Sequence, residues 1–418
     1  MGIDSNSETL GVYVSVPFCR AKCSFCNFAS GVGGPEAIAG YVTALCEEID
    51  AAVETAARLG ATLPRRVDSV YFGGGTPSLL SPEQLGTIFA ALRRGFEVEA
   101  GAEITLEAAP GQIADEVLEA AMRLGVKRVS LGVQSFVDRE SAAVGRTHTG
   151  DGCVAEIRRL RAAGLREVGA DLIAGLPYQT VESWAHSLDV ATGLGSEGAL
   201  THLSVYMLEV DEDSRLGREV LGGGLRLHAP KGPGEEMAAE LYEQACEALP
   251  RGGFGQYEIS NFAGVGHQSR HNRKYRERKP YMGFGLDAHS MLLAGGGAVR
   301  FANVDELKGY GAASWGGDIV RVEVDEAFEE SVFLGLRLNE GLDVSALREQ
   351  FGRVRVDACE EAVEEMVEGG MMEARDGRWF LTLRGRVVSS EVFGRLLAGV
   401  GALYDGLSRV EFDLIGEQ

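Results

Sequence analysis

No stretch of the 418 residues stays apolar for the ~18 or more positions that a membrane-spanning helix needs, so the sequence offers no transmembrane segment. The N-terminal residues Met1-Gly-Ile-Asp-Ser-Asn-Ser-Glu8 lack the basic-then-apolar layout of a secretory leader, and the expectation is a cytoplasmic chain. Positive charge is in short supply: 40 Lys and Arg face 62 Asp and Glu, and the formal net charge of −22 argues against broad affinity for nucleic acid or anionic lipid. The simpler reading of that acidity is a soluble, self-repelling surface. Cysteine is scarce and odd in number. Four of the seven (Cys46, Cys153, Cys246, Cys359) are scattered, which excludes a disulfide framework and suits a reducing compartment. A phosphate loop is missing too, because Gly73-Gly-Gly-Thr-Pro77 has neither a GKS/GKT ending nor GxGxxG spacing.

The remaining three cysteines are concentrated. Cys19, Cys23 and Cys26 fall within eight residues, at C-x3-C-x2-C spacing, directly after the β-branched run ending at Val16. Soft thiolates are the usual donors to an iron–sulfur cluster. A four-iron cube wants four ligands, so three local cysteines leave one iron unligated by protein. That open iron can chelate a small molecule through an amine and a carboxylate, as S-adenosylmethionine (SAM) does. The alternative is a three-cysteine zinc site completed by a distant histidine, but zinc usually takes paired C-x2-C arms.

From the N-terminus to about residue 210 a strand-then-helix rhythm repeats. Strands are expected at Gly11–Val16, Val67–Phe72, Glu103–Leu106, Arg128–Gly132, Glu167–Ile173 and His202–Leu208. Helices are expected between them at Glu36–Leu59, Pro82–Arg94, Ala114–Leu124, Gly152–Ala163 and Val181–Thr192, several ending at glycine. This alternation predicts right-handed βαβ units around a parallel sheet. Six units are too few for a closed eight-fold barrel, so the expectation is a partial (β/α)6 barrel with its active site at the C-terminal strand ends. Beyond a glycine-rich stretch (Gly217–Gly234) come a helix, Glu235–Leu249, and an irregular segment reaching His289. Helices at Asp325–Leu338, Val344–Phe351 and Val356–Gly369, then a strand pair turning at Asp376-Gly377, predict a C-terminal α+β, winged-helix-like module. The expected division is 1–215 for the barrel, 216–322 for a linker and barrel-completing segment, and 323–418 for the module. Its density of glutamate favours a lid or docking role over DNA binding.

The polar residues that stand out fall at the strand ends. Gly73–Gly75 would let a ligand approach the backbone closely. Glu107, Gln134 and Asp171 end successive strands, and Arg146 could take a ligand carboxylate bidentately. Each alone reads equally well as structural.

Together, Tyr13, the cysteine triplet with Phe25, Gly-Gly-Gly-Thr-Pro, Glu107, Gly-Val-Gln-Ser-Phe, Arg146 and Asp171-Leu-Ile-Ala-Gly-Leu-Pro resemble the radical-SAM family of oxygen-independent coproporphyrinogen III oxidases. Tyr257–Phe262, His271–His289 and Thr382–Phe393 extend the resemblance over nearly the whole chain. Within the family it is most similar to the HemW branch, regarded as haem chaperones. The true oxidases resemble C-x3-C-x2-C-x-C, whereas Phe28 stands here at the last position. They also carry a long segment before the cluster, where 18 residues precede Cys19.

The resemblance implies that Cys19, Cys23 and Cys26 hold a 4Fe-4S cluster and that Tyr13, Gly74 and Glu107 lie along its SAM. Phe25, Gly75, Thr76, Gln134, Arg146 and Asp171 match positions that contact a second SAM in the oxidase. Ala109 stands where relatives often have asparagine. The branch signature resembles HNxxYW, matched by His271-Asn-Arg-Lys-Tyr275 with Arg276 in place of tryptophan. Histidine and tyrosine both ligate haem iron, which makes His271 and Tyr275 the expected haem residues, with His289 a second expectation for haem or adenosine. The function implied is a chaperone that binds haem (heme), cluster and SAM and passes haem to recipient haemoproteins. The alternatives are radical decarboxylation of coproporphyrinogen propionates and another radical-SAM reaction such as methyl transfer. The sequence leaves a homodimer open.

Overall fold

The computed structural model describes residues 8–295, 297–311 and 319–401. The residues Met1–Ser7, on which the absence of a leader was read, lie outside the described part. The chain divides into two compact units. One comprises residues 1–274, 279–294 and 299–320, and the other 275–278, 295–298 and 321–418.

The first unit is built on six parallel strands: β1 (Leu10–Val16), β2 (Arg66–Gly74), β3 (Glu97–Ala108), β4 (Arg128–Gln134), β5 (Glu167–Ala174) and β6 (His202–Met207). They lie side by side in chain order, as the strand–helix rhythm requires. β1 is buried at all seven positions, the pattern of a strand covered on both faces. The intervening helices start and stop at readable signals. Ser81 and Gln84 form a capping box ahead of Pro82–Gly95, and the helix Asp115–Leu124 stops at Gly125, whose φ of 110° favours glycine.

The expected helix Glu36–Leu59 is two, Pro35–Asp50 and Ala52–Leu59, broken at Ala51. Neither Gly nor Pro marks that break in the sequence. The segment expected to be irregular is ordered. After the helix Glu235–Arg251 come β7 (Gly255–Gln256), β8 (Asn261–Ala263), the helix Arg270–Arg276, β9 (Tyr281–Phe284), β10 (His289–Ala294) and β11 (Gly297–Ala302). β9 pairs in parallel with β1, and β8 pairs antiparallel with β6. The sheet therefore continues past both edges of the six-stranded core, and the exposed edges that an open barrel would leave are covered.

The second unit is α+β. The helices Val324–Leu336, Val344–Phe351 and Arg353–Glu368 precede the hairpin Met372–Arg375 and Arg378–Leu381, to which Leu342–Asp343 adds a third antiparallel strand. The turn is where Asp-Gly placed it, with both Asp376 and Gly377 at positive φ. Phe328, Val356, Cys359, Trp379 and Leu396 are buried in it. A nearly buried ion pair of 2.6 Å joins Arg278 to Glu330 and accounts for residues 275–278 belonging to this unit.

Candidate functional site

The loop that follows β1 carries the three cysteines, and it is fastened at both ends of its entry. Gly75 N–H donates to Val16 O at 3.0 Å and Thr76 N–H to Phe18 O at 2.8 Å. Cys19 N–H donates to Gly31 O at 2.9 Å, closing the loop on itself. A Cβ on Gly75 would stand 2.6 Å from Val16 O and 2.7 Å from Phe18 O, so the residue must be glycine for this approach to exist. The Thr76 hydroxyl lies 3.6 Å from Cys19 Sγ. The structure thus gives Gly75 and Thr76 a task in shaping the thiol loop.

On its other side the loop meets the segment after β6. Leu216 N–H donates to Ser24 O at 2.7 Å, Asn27 Nδ2 to Asp211 Oδ2 at 2.6 Å, and the Arg215 guanidinium to Lys22 O. Phe25 packs against the buried group Val144, Ile173, Leu176 and Leu216. Cys23 is buried, and Cys19 and Cys26 are half-buried. Burial pushes the Cys23 thiol up, opposed by the Arg146 and Arg215 charges, with Cys19 adding to the rise. Burial likewise raises Cys26, opposed by Phe28 N–H and Lys22.

Among the described residues no three of His, Cys, Asp and Glu gather around a point that one metal ion could occupy. The three thiols share a loop and feel one another's charge without converging. Zinc needs its donors on a single ion. Cubane ligands instead bind separate irons, so an all-thiol donor set spread along a pinned loop fits a 4Fe-4S cluster. Phe28, at the oxidases' fourth cysteine position, is 43% exposed.

Behind the loop, one face of the sheet presents a polar layer at the strand ends. The Tyr71 hydroxyl donates to Glu107 Oε1 at 2.8 Å, and Tyr13 stacks on Tyr71 with centroids 6.1 Å apart. Burial pushes Glu107 up to about 7, opposed by Tyr71, the Gly74 N–H and Arg146, while Asp171 adds to the rise. Asp171 accepts from Ser130 Oγ at 3.2 Å, and burial raises it to about 6 against hydrogen bonds from Ser204 and Ser130 and the charge of Arg146. Arg146 Nε is buried and has no hydrogen-bond partner. Gly132 makes room for this guanidinium: a Cβ there would lie 2.8 Å from Arg146 Nη2 and 3.1 Å from Gln134 Nε2. Gln134 itself ends β4 at a φ of 67°, a conformation that usually marks a functional constraint. Two carboxyls of raised pKa and a guanidinium whose buried Nε lacks a hydrogen-bond partner can together receive the ammonium and carboxylate of an amino-acid ligand. Tyr13, Glu107, Gln134, Arg146 and Asp171 are therefore brought together near Cys23.

His271 is not among them. It lies on the helix Arg270–Arg276 at the N-terminal end of the strands, 2% exposed, with Nδ1 3.1 Å from Ser69 Oγ and its ring stacked 5.3 Å from Tyr71. Burial, reinforced by Lys274, drives its pKa down to about 3, so the imidazole is neutral. Glu103 caps this helix through Arg270 N–H and His271 N–H, each at 3.0 Å, and Lys274 pairs with Asp68 at 2.9 Å. The start of the HNxxY segment plugs the barrel floor. The imidazole expected to ligate haem is thus buried here, away from the cysteine loop. Tyr275, one turn on, is half-buried. His289 stands at the cluster end, where β10 begins, 3.9 Å from Asp287, which accepts from Ala29 N–H beyond the cysteines.

Sequence reasoning missed the group that fixes the 285–289 turn. Glu48 accepts from Gly285 N–H at 2.9 Å, from Asn303 Nδ2 at 2.6 Å and from the Tyr310 hydroxyl, while Tyr41 bonds Ser15 O and Leu286 N–H. The signal was present: Glu48 shares the apolar stripe Tyr41, Leu45 and Ile49 of its helix.

Residues 13–191 match the Radical SAM superfamily and residues 322–388 the HemN C-terminal domain. The chain is 32% identical to the heme chaperone HemW of Bacillus subtilis, over 92% of this chain and 98% of that one. It is 31% identical to the heme chaperone HemW of Mycobacterium tuberculosis, over 93% and 95% of the two chains. It is 33% identical to the mitochondrial radical S-adenosyl methionine domain-containing protein 1 of Bos taurus, over 80% and 75%. Among solved structures, the coproporphyrinogen III oxidase HemN from Escherichia coli, described as a radical SAM enzyme, superposes with a TM-score of 0.76 at 25% identity, covering 93% of this chain and 90% of that one.

Proposed function

The chain belongs to the radical SAM superfamily, among the HemN-like proteins that include the HemW heme chaperones, and from that premise we propose that it is a haem chaperone. It binds haem, holds a 4Fe-4S cluster with SAM, and delivers haem to haemoproteins in the cytoplasm. The observation that carries this reading is near-complete coverage by HemW chaperones combined with a thiol loop that ends in Phe28. All seven cysteines are free, as a reducing compartment requires.

Bound at Cys19, Cys23 and Cys26, the cluster supplies an iron open to SAM and the electron for its reductive cleavage. The protein's own groups do the positioning. Glu107 accepts the ligand ammonium, and Arg146, whose buried Nε has no hydrogen-bond partner, takes the carboxylate. Tyr13 and the Gly74 backbone border the nucleoside. Gly75 and Thr76 hold the loop, and Gln134 and Asp171 hold the guanidinium's surroundings. His289 lies on the rim at the same end.

An anaerobic comparison tests the reading. The reconstituted protein is given reductant, SAM and, in parallel, coproporphyrinogen III and haem. The expected result is a Soret shift with retained haem and no carbon dioxide. Release of carbon dioxide with protoporphyrinogen formation would establish the oxidase instead. The second reading has its own support, because the HemN fold and the Gln134–Arg146–Asp171 layer are both in place.

A further inference from the structure

His271 is buried, whereas a second histidine, His228, is exposed. Residues 209–234, the glycine-rich stretch after β6, form a strap over the cysteine loop, and the function just proposed assigns them nothing. We propose that the strap carries the haem site, with His228 as axial ligand.

The imidazole is exposed, and its Nδ1 lies 2.8 Å from the Tyr178 hydroxyl. One ring nitrogen is thereby oriented and Nε2 left available, the arrangement by which ligating histidines are held. Tyr178 is fixed in turn. Its N–H donates to Lys231 O at 2.9 Å, and the Arg139 guanidinium lies 3.9 Å over its ring. Leu227 and His228 are both left-handed, at φ of 53° and 59°. Two successive side-chain-bearing residues in that region cost free energy that a solvent-exposed turn would ordinarily shed. The turn persists because Leu227 and Ala229 pack against the buried group that includes Leu216 and touches Phe25. The strain therefore aims the imidazole.

The surroundings match an amphipathic, flat anion. Leu221 and Leu225 are 64% and 83% exposed, apolar surface that a soluble strap has no internal use for. Arg226 and Lys231 flank His228, are exposed, and have no side-chain partner among the described residues. Two free cations next to bare leucines are a local exception in a chain of net charge −22. Propionates would meet the cations, the macrocycle would cover the leucines, and the iron would take Nε2. One open face suits cargo that must leave again.

This rests on the haem-chaperone reading, and the test separates the two. The full-length protein, reconstituted with its cluster, is titrated with ferric haem and with metal-free protoporphyrin IX. Wild type is expected to bind haem with the high-spin ferric spectrum of a single-histidine site. His228→Ala should weaken haem by about tenfold or more and lose that spectrum, with added imidazole restoring haem affinity and protoporphyrin affinity unchanged. The doubly reversed variant Arg226→Glu, Lys231→Glu should weaken both tetrapyrroles. Haem binding by wild type with unchanged affinity and spectrum in His228→Ala overturns the ligand assignment alone. No haem binding by wild type overturns both readings.

Discussion

Glu48 illustrates how much one buried carboxyl can decide. Its three partners all donate, yet removal from water dominates and raises its pKa from 4.5 to about 7. In the unfolded chain the same group has its ordinary value. Between these two values the folded form holds a proton that the unfolded form has released, so this group's contribution is full below pH 4.5 and is lost as pH rises through about 7. Glutamine does not titrate. The stability difference between wild type and Glu48→Gln, from urea unfolding at pH 5 and pH 8, is therefore expected to move by roughly 2.5 kcal/mol in the variant's favour at the higher pH. A difference that stays flat between the two would mean that the three donors hold the carboxylate ionised throughout. The sequence shows an acid on an apolar stripe, but its partners are 237 to 262 residues away. No local pattern reports contacts of that range.

At the level of elements, legibility followed periodicity. β1 to β6 and their helices could be placed from the sequence because each is a short apolar run or an amphipathic repeat bounded by glycine or a cap. β7 to β11 could not, since two- to six-residue strands flanking the six-stranded core are chosen by the neighbour they pair with. The same limit applies to the site. The positions of Cys19, Glu107 and Asp171 at strand ends could be read from the sequence, whereas the position of His271 depended on which end of the barrel its helix enters. The strap is the element whose role only the structure reveals. Its bonds from Asp211 to Asn27 and from Leu216 to Ser24 cover the thiol loop. Asp211→Ala removes the first and also the turn bond to Asp213 N–H at 2.7 Å. Cluster absorbance in this variant should bleach several-fold faster under an iron chelator, with far-ultraviolet circular dichroism unchanged, because local opening governs access. Equal bleaching rates in Asp211→Ala and wild type would show that the strap does not guard the loop.

Across the whole molecule, the two units and the acidic balance raise a question of approach. Haem is an anion meeting a chain of net charge −22, yet the strap offers Arg226 and Lys231. Which field the ligand feels depends on screening. At about 0.01 M salt the Debye length is about 30 Å, so the net charge of the molecule reaches the strap and repels. At about 0.1 M it is about 10 Å, and only the nearby cations act. The association rate of haem should therefore rise as salt is added from the lower to the higher value, the reverse of ordinary electrostatic steering. In the doubly reversed Arg226→Glu, Lys231→Glu chain the local attraction is gone, and the rise should be steeper from a slower start. Stopped-flow Soret traces at both ionic strengths read this directly. A wild-type rate that falls with salt would mean that local cations already outweigh the net charge at long range. Salt slopes that match in the two chains would place the docking event away from the strap.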